Sequence, residues 1–194
     1  MHQGGTDPRG IKGCLNTLLL TSPFGTLGAP MFLAVHAAVG ALAGNAVNSP
    51  VAAFALGFIS HFFADMVPHG DEHMYEGYKS GNKVGRALLY VSLDAIMTVV
   101  LIAVFFLKQD FFSPLNVAMG IVGGLLPDAL VGLFEVIKPK RRTWFNRKLS
   151  WFHGFHMANH HFIIKHVRHE KDIPFRYGLM MQGIVLTVLI KMVL

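Results

Sequence analysis

The stretch Gly57-Phe-Ile-Ser-His-Phe-Phe-Ala-Asp-Met-Val-Pro-His-Gly70 decides how the rest of this chain is read. It closes an apolar run that begins at Val51, long enough to be buried in lipid or in a hydrophobic core. Yet it carries His61 and Asp65 four residues apart, and so on one face of a helix. Ionisable groups at membrane depth are costly and are as a rule paired, metal-bound or functional. An imidazole and a carboxylate aimed at one point are the donors that a hard or borderline divalent metal takes.

Similar apolar runs recur along the 194 residues. With 53% hydrophobic and 14% charged residues, the composition lies far from that of an average soluble domain. Together with a positive mean hydropathy of +0.47, this predicts an all-α fold: a small polytopic membrane bundle. It would have about five transmembrane or core helices plus an interfacial His-rich helix. The single cysteine, Cys14, excludes an internal disulfide and a multi-thiolate metal site. The net charge of +6 is uneven, because Lys138, Lys140, Arg141, Arg142, Arg147 and Lys148 crowd one linker. Such clusters mark cytoplasmic membrane loops. The aromatic residues sit in apolar helices rather than among these cations, which argues against a nucleic-acid partner.

Residues 1–29 differ from the remainder, being rich in Gly, Thr and Ser, with an apolar patch (Leu18-Leu19-Leu20) too short for a signal-peptide core. They are expected to form a poorly ordered leader, with Met31 an alternative start of translation, and residues 30–194 one helical membrane domain. The first helix is expected from Pro30 to about Ala46, followed by a turn over Asn45 to Ser49. Ser49-Pro50 is an N-cap and N1 pair that opens the second helix, stopped by Pro68 and Gly70. A polar loop from His69 to Arg86 precedes a third helix over Ala87 to Leu107 and a fourth over Leu115 to Ile137. Beyond the basic linker come an amphipathic, His-rich segment, Leu149 to His169, and a final apolar run, Tyr177 to Leu194. The first two spans are near the lower limit for crossing a bilayer, whereas the third and fourth exceed it.

Placing the basic linker in the cytoplasm orients all of these helices in an inner or plasma membrane. His36, His61, Asp65, Asp94 and Asp128 then fall in the cytoplasmic half, with His153 and His156 following the linker. Glycines share faces with them at four-residue steps. Gly40 and Gly44 follow His36, Gly57 precedes His61 and Asp65, and Gly120 and Gly124 precede Asp128. Small residues let membrane helices approach closely, so a tight three-helix contact is expected with His36, His61, Asp65 and Asp128 pointing into it. His156 or His153 from the later segment would complete the set, and His156 and His160 share a face. Asp94 fits either a ligand or a carboxylate that orients a ligand histidine. The plain alternative for all of them is hydrogen bonding across packed helices. His69, Asp71, Glu72 and His73 read mostly as a solvated turn.

In combination, His36-x3-Gly40, Gly57-x3-His61-x3-Asp65, Leu126-Pro127-Asp128 and the later His pair resemble the membrane-bound metal-dependent hydrolase-like family. That family is similar in turn to zinc-dependent phospholipase C. The resemblance spans roughly Met31 to His161. The order of elements differs, since the Pro-Asp element here follows the Gly-x3-His-x3-Asp element. The family's His-Arg and Thr-His-Ser element is missing, and Phe152-His153-Gly154-Phe155-His156 is the nearest thing to it. The resemblance implies an all-helical fold whose His and Asp side chains hold one or more divalent metals to hydrolyse a phosphoester, with His36, His61, Asp65 and Asp128 as ligands.

These readings combine into an integral membrane, metal-dependent hydrolase acting on a phosphoester such as an anionic lipid headgroup. Zn2+ is the first choice of cofactor, with Mn2+ or Fe2+ as alternatives. The metal ligands are His36, His61, Asp65, Asp128 and His156, and Asp94 and His153 are the acid-base candidates. A non-catalytic membrane metal-binding or transport protein would use the same cluster. A haem bundle with His36 and His61 as axial ligands is a third reading.

Overall fold

The computed structural model describes residues 33–67, 81, 84–138, 143–166 and 173–194, and among them the fold is all-helical. In chain order the longer helices are α1 (Leu33–Asn45), α2 (Pro50–Asp65), α3 (Val84–Lys108), α4 (Pro114–Ile137) and α5 (Trp144–His160). The short α6 (Phe162–His166) and the terminal α7 (Phe175–Val193) follow. The leader and the cluster of His69, Asp71, Glu72 and His73 lie outside the described residues.

Local chemistry starts the helices where the sequence signals it. Ser49 accepts the Ala52 amide and Pro50 takes the first-turn position of α2, where its missing N–H costs nothing. Ser113 and Pro114 repeat the device at α4, with Ser113 Oγ accepting from Asn116. Thr143 caps α5 by accepting the Asn146 amide. The His-rich helix therefore begins at Trp144, five residues ahead of the Leu149 expected, because the cap precedes the apolar periodicity. α4 ends at Lys138 in the left-handed region (φ 44°), whose N–H bonds back to Phe134 O at 2.8 Å.

The centre of the bundle is α1. Ala34, Val35, His36, Ala37, Ala38, Gly40, Ala41 and Gly44 are all buried, and Val39, Leu42 and Ala43 form a narrow, partly exposed strip. It packs against α2, α3, α4 and α7. The apolar core joins Ala37, Ala38 and Ala41 to Phe105 of α3, Val117 and Ile121 of α4 and Val193 of α7. At 13 residues, α1 is about 20 Å long, below the roughly 30 Å of a hydrocarbon core. Among the described residues, three helices are long and apolar enough to cross a membrane: Leu88–Lys108, Pro114–Ile137 and Arg176–Val193. α3 turns Leu88, Leu89, Val91, Leu93, Ile96, Val99 and Val100 outward, an apolar surface that suits lipid.

Glycine brings the backbones of α1, α2 and α4 into contact. A Cβ on Gly40 would lie 2.5 Å from the Gly120 carbonyl oxygen, and one on Gly57 would collide with the same carbonyl. A Cβ on Gly120 would in turn strike Gly40 O. Four residues along α4, a Cβ on Gly124 would be 2.7 Å from His36 O. Gly123, which shares no four-residue step with the ligand candidates, is closed off by the Phe54 carbonyl. Asn116 ties the far end together, its Nδ2 donating to Val47 O at 2.7 Å.

Gly120→Ala should therefore force the helices apart and destabilise the bundle by about 1–3 kcal/mol, an overpacking cost. Thermal denaturation in detergent reads this as a lowered midpoint. Gly132→Ala, where an added Cβ meets nothing within 4 Å, should leave the midpoint unchanged or raised, since alanine favours helix.

Candidate metal centre

The approach of the three helices delivers the ionisable side chains to one point. His36 comes from the first turn of α1, His61 and Asp65 from the last turns of α2, and Asp128 from α4 two turns beyond Gly120. α5 closes over them with His156. It is held on α2 by Phe62, which makes edge contacts with Phe152 and Phe155, and by Asn159 Nδ2, which donates to Phe62 O at 2.9 Å. His36, His61, Asp65 and His156 are buried, while the Asp128 side chain keeps 27% of its surface exposed and so forms the mouth of the cluster.

Distances between donor atoms are short. His36 Nε2 lies 3.8 Å from Asp65 Oδ1 and 3.8 Å from Asp128 Oδ2. His61 Nε2 lies 4.0 Å from Asp65 Oδ2 and 3.7 Å from Asp128 Oδ1. His156 Nε2 lies 3.2 Å and 3.8 Å from the same two oxygens. The buried His and Asp groups could hold a metal ion: His36, His61 and Asp128 form one set, and His61, Asp65 and His156 another, each within 4.8 Å.

The tautomer of His61 tests that fit. Its Nδ1 is 2.9 Å from the Gly124 carbonyl oxygen, which can only accept, so Nδ1 carries the hydrogen. On the neutral ring, Nε2 then presents a lone pair to two carboxylates. It is fully buried and makes no hydrogen bond among the described residues. Lone pair facing carboxylate repels unless a cation lies between them, and a divalent ion fits this donor set of imidazoles and carboxylates. The outer bond from Nδ1 to a carbonyl is the support a ligating histidine as a rule has.

No known protein family, curated protein or solved structure matches the chain. The chemistry is therefore read from the residues themselves.

Five expected ligands, His36, His61, Asp65, Asp128 and His156, come together; Asp94 and His153 stand outside both sets. Asp94 Oδ2 accepts the Leu33 amide of α1 at 2.7 Å. The carboxylate thus caps from a neighbouring helix the end that carries His36, where the helix dipole favours an anion. His153 stacks on Phe134 with centroids 4.0 Å apart, its Nε2 lying 3.3 Å from Glu135 Oε1. Glu135 had no periodic signal to single it out. His160 is buried on the same side of α5 and acts electrostatically on His61 and His156. The rings of His36 and His61 stack at 4.1 Å, which leaves no room for a porphyrin between them and removes the haem reading.

Burial holds the His156 imidazole down to about 4 from the ordinary 6.5, against the opposing pull of Asp65. The ring is thus neutral near pH 7, the form that donates a lone pair. In metal-free protein the unfolded chain takes up this proton near 6.5 and the folded chain only near 4. Its contribution to stability is full above that upper value and lost as pH falls toward the lower one. His156→Gln should flatten this part of the pH profile of the melting midpoint. His61→Ala or Asp65→Ala should abolish metal retention in elemental analysis of detergent-purified protein, whereas Asp94→Asn and His153→Ala keep it. Full occupancy in H61A and D65A would remove the site.

Proposed function

We propose that the chain is an integral membrane metal-dependent hydrolase that cleaves a phosphoester, with lipid headgroups as the substrate class. The observation that carries this reading is the buried His/Asp cluster, exposed among the described residues at Asp128. The reaction class proposed rests on the likeness of the sequence motifs to those of the membrane-bound metal-dependent hydrolase-like proteins. Mixed imidazole and carboxylate donors favour Zn2+, with Mn2+ or Fe2+ next.

A divalent ion supplies Lewis acidity and lowers the pKa of a coordinated water toward neutrality. The chain supplies the rest. His36, His61 and His156 hold the ion, and Asp65 and Asp128 balance its charge. The aromatic contacts of Phe62 with Phe152 and Phe155 keep water from the α2–α5 side. His153, oriented by Glu135 one turn before His156, is the proton carrier for the leaving oxygen. Asp94 takes a positioning part, holding the end of α1 that bears His36.

The outer face of α5 suits a substrate drawn from a membrane surface. Trp144, Trp151 and Phe155 are exposed there, and Lys148 Nζ lies 5.9 Å over the Trp144 ring. Aromatic and basic groups on one helix face fit the headgroup region of anionic lipid. In this reading the site lies toward the cytoplasmic half of an inner or plasma membrane, which the basic run of the sequence from Lys138 to Lys148 favours.

The test is headgroup release from mixed micelles of defined phospholipids by protein stripped with chelator and reloaded with Zn2+ or Mn2+. Turnover should appear only after reloading and be lost in Asp65→Ala. His153→Ala should keep the metal and lose turnover by about 10²–10⁴-fold, the usual contribution of a positioned acid or base. Retained metal without turnover on any phosphoester lipid, together with ion flux in proteoliposomes, would replace the hydrolase by a metal transporter.

A further inference from the structure

The two carboxylates divide their oxygens. Asp65 turns Oδ1 toward His36 and Oδ2 toward His61 and His156. Asp128 does the same in mirror fashion, with Oδ2 toward His36 and Oδ1 toward His61 and His156. One ion would gather all donors around one point, with a single oxygen of each carboxylate facing all three imidazoles. At bond lengths of roughly 2.0–2.2 Å, donors to one ion lie at most about 4.4 Å apart. The donor atoms here sort into two sets instead of one, with His61 common to both. An imidazole nitrogen has one lone pair and serves one ion. His61 shares its two facing oxygens with His156, so it belongs with His156.

Burial and charge point the same way. A buried carboxylate, Asp65, and a part-exposed one, Asp128, repel side by side, and one divalent ion cancels their charge with nothing left for an incoming phosphate. A second ion makes the cluster cationic, which suits an anionic substrate. Two-ion sites of this kind grip both the attacking and the leaving oxygen in phosphoryl chemistry.

We propose that the cluster binds two divalent ions bridged by the carboxylates of Asp65 and Asp128, one ion on His36 and the other on His61 and His156. This rests on reading the cluster as a metal site. The ion on His61 and His156 has two imidazoles and two bridging oxygens, enough for a tetrahedral set. The ion on His36 has one imidazole and the two remaining oxygens among the described residues, and it is the more readily lost.

The experiment uses the full chain, purified in detergent, stripped with chelator and titrated with Mn2+. Metal per chain is counted after desalting, and low-temperature electron paramagnetic resonance distinguishes an isolated Mn2+ from an exchange-coupled pair. Wild type should bind two Mn2+ per chain and give the coupled multiline spectrum. His36→Ala should bind one and give the isolated-ion spectrum. A wild-type protein that saturates at one Mn2+ with an isolated-ion spectrum overturns the pair while leaving the metal site in place. Two coupled ions persisting in H36A overturn the assignment of His36. A chain that binds no Mn2+, Zn2+ or Fe2+ overturns the metal reading itself. The wild-type count and spectrum decide the matter even where the H36A variant fails to fold.

Discussion

The carbonyl of Gly120 sits where three helix backbones meet, with Gly40 on one side and Gly57 on the other. The meeting of His36, His61, Asp65 and Asp128 follows from that contact. On α4, the residues one and two four-residue steps beyond Gly120 are Gly124 and Asp128. On α1, the corresponding step from Gly40 leads back to His36; on α2, the steps from Gly57 lead to His61 and Asp65. Gly124 O therefore meets His61 Nδ1, and Asp128 meets both histidines. A metal site tolerates only a few tenths of an ångström in its ligand distances, far less than the offset that a methyl group at the crossing would impose. The packing motif and the chemical motif are one stripe.

The same constraint explains the character of α1. The contacts of this helix with four neighbours are lined by small side chains, Ala34, Ala37, Ala38 and Ala41, each at most 1% exposed, beside the larger Val35 and His36. With no more than the strip of Val39, Leu42 and Ala43 partly exposed, α1 need not match the bilayer by itself. Its beginning is secured by a carboxylate on α3, so its register depends on tertiary contact rather than on local sequence.

What the sequence makes legible is what repeats locally. Four-residue spacing relates Gly57, His61 and Asp65, and relates Gly120, Gly124 and Asp128, and from that the shared faces and the clustered donors can be read. Ser49-Pro50 likewise announces its helix. Pairings between distant segments leave no such trace. Nothing local marks Asp94 as the acceptor for Leu33, or Glu135 as the partner of His153. Nothing marks Asn116 and Asn159 as donors to carbonyls on other helices. Asp94 attracts attention as an ionisable group in an apolar run, and its use in capping emerges only when α3 is laid beside α1. The early start of α5 at Thr143 was legible in principle, but apolar periodicity outweighed the cap.

The place of α5 in the chain has a consequence for how the protein is made. Synthesis runs from the N-terminus, so the helices carrying His36, His61, Asp65 and Asp128 emerge before Trp144. Until then two carboxylates destined for burial face two imidazoles, and the nearest base to Asp65, His156 at 3.2 Å, has not yet been translated. Until α5 arrives, that end of the bundle lacks the ring that lies nearest Asp65 and the aromatic contacts with Phe62 that seat it. The order of synthesis makes α5 the last element to reach the cluster, and the set of five donors is complete only once His156 has joined it.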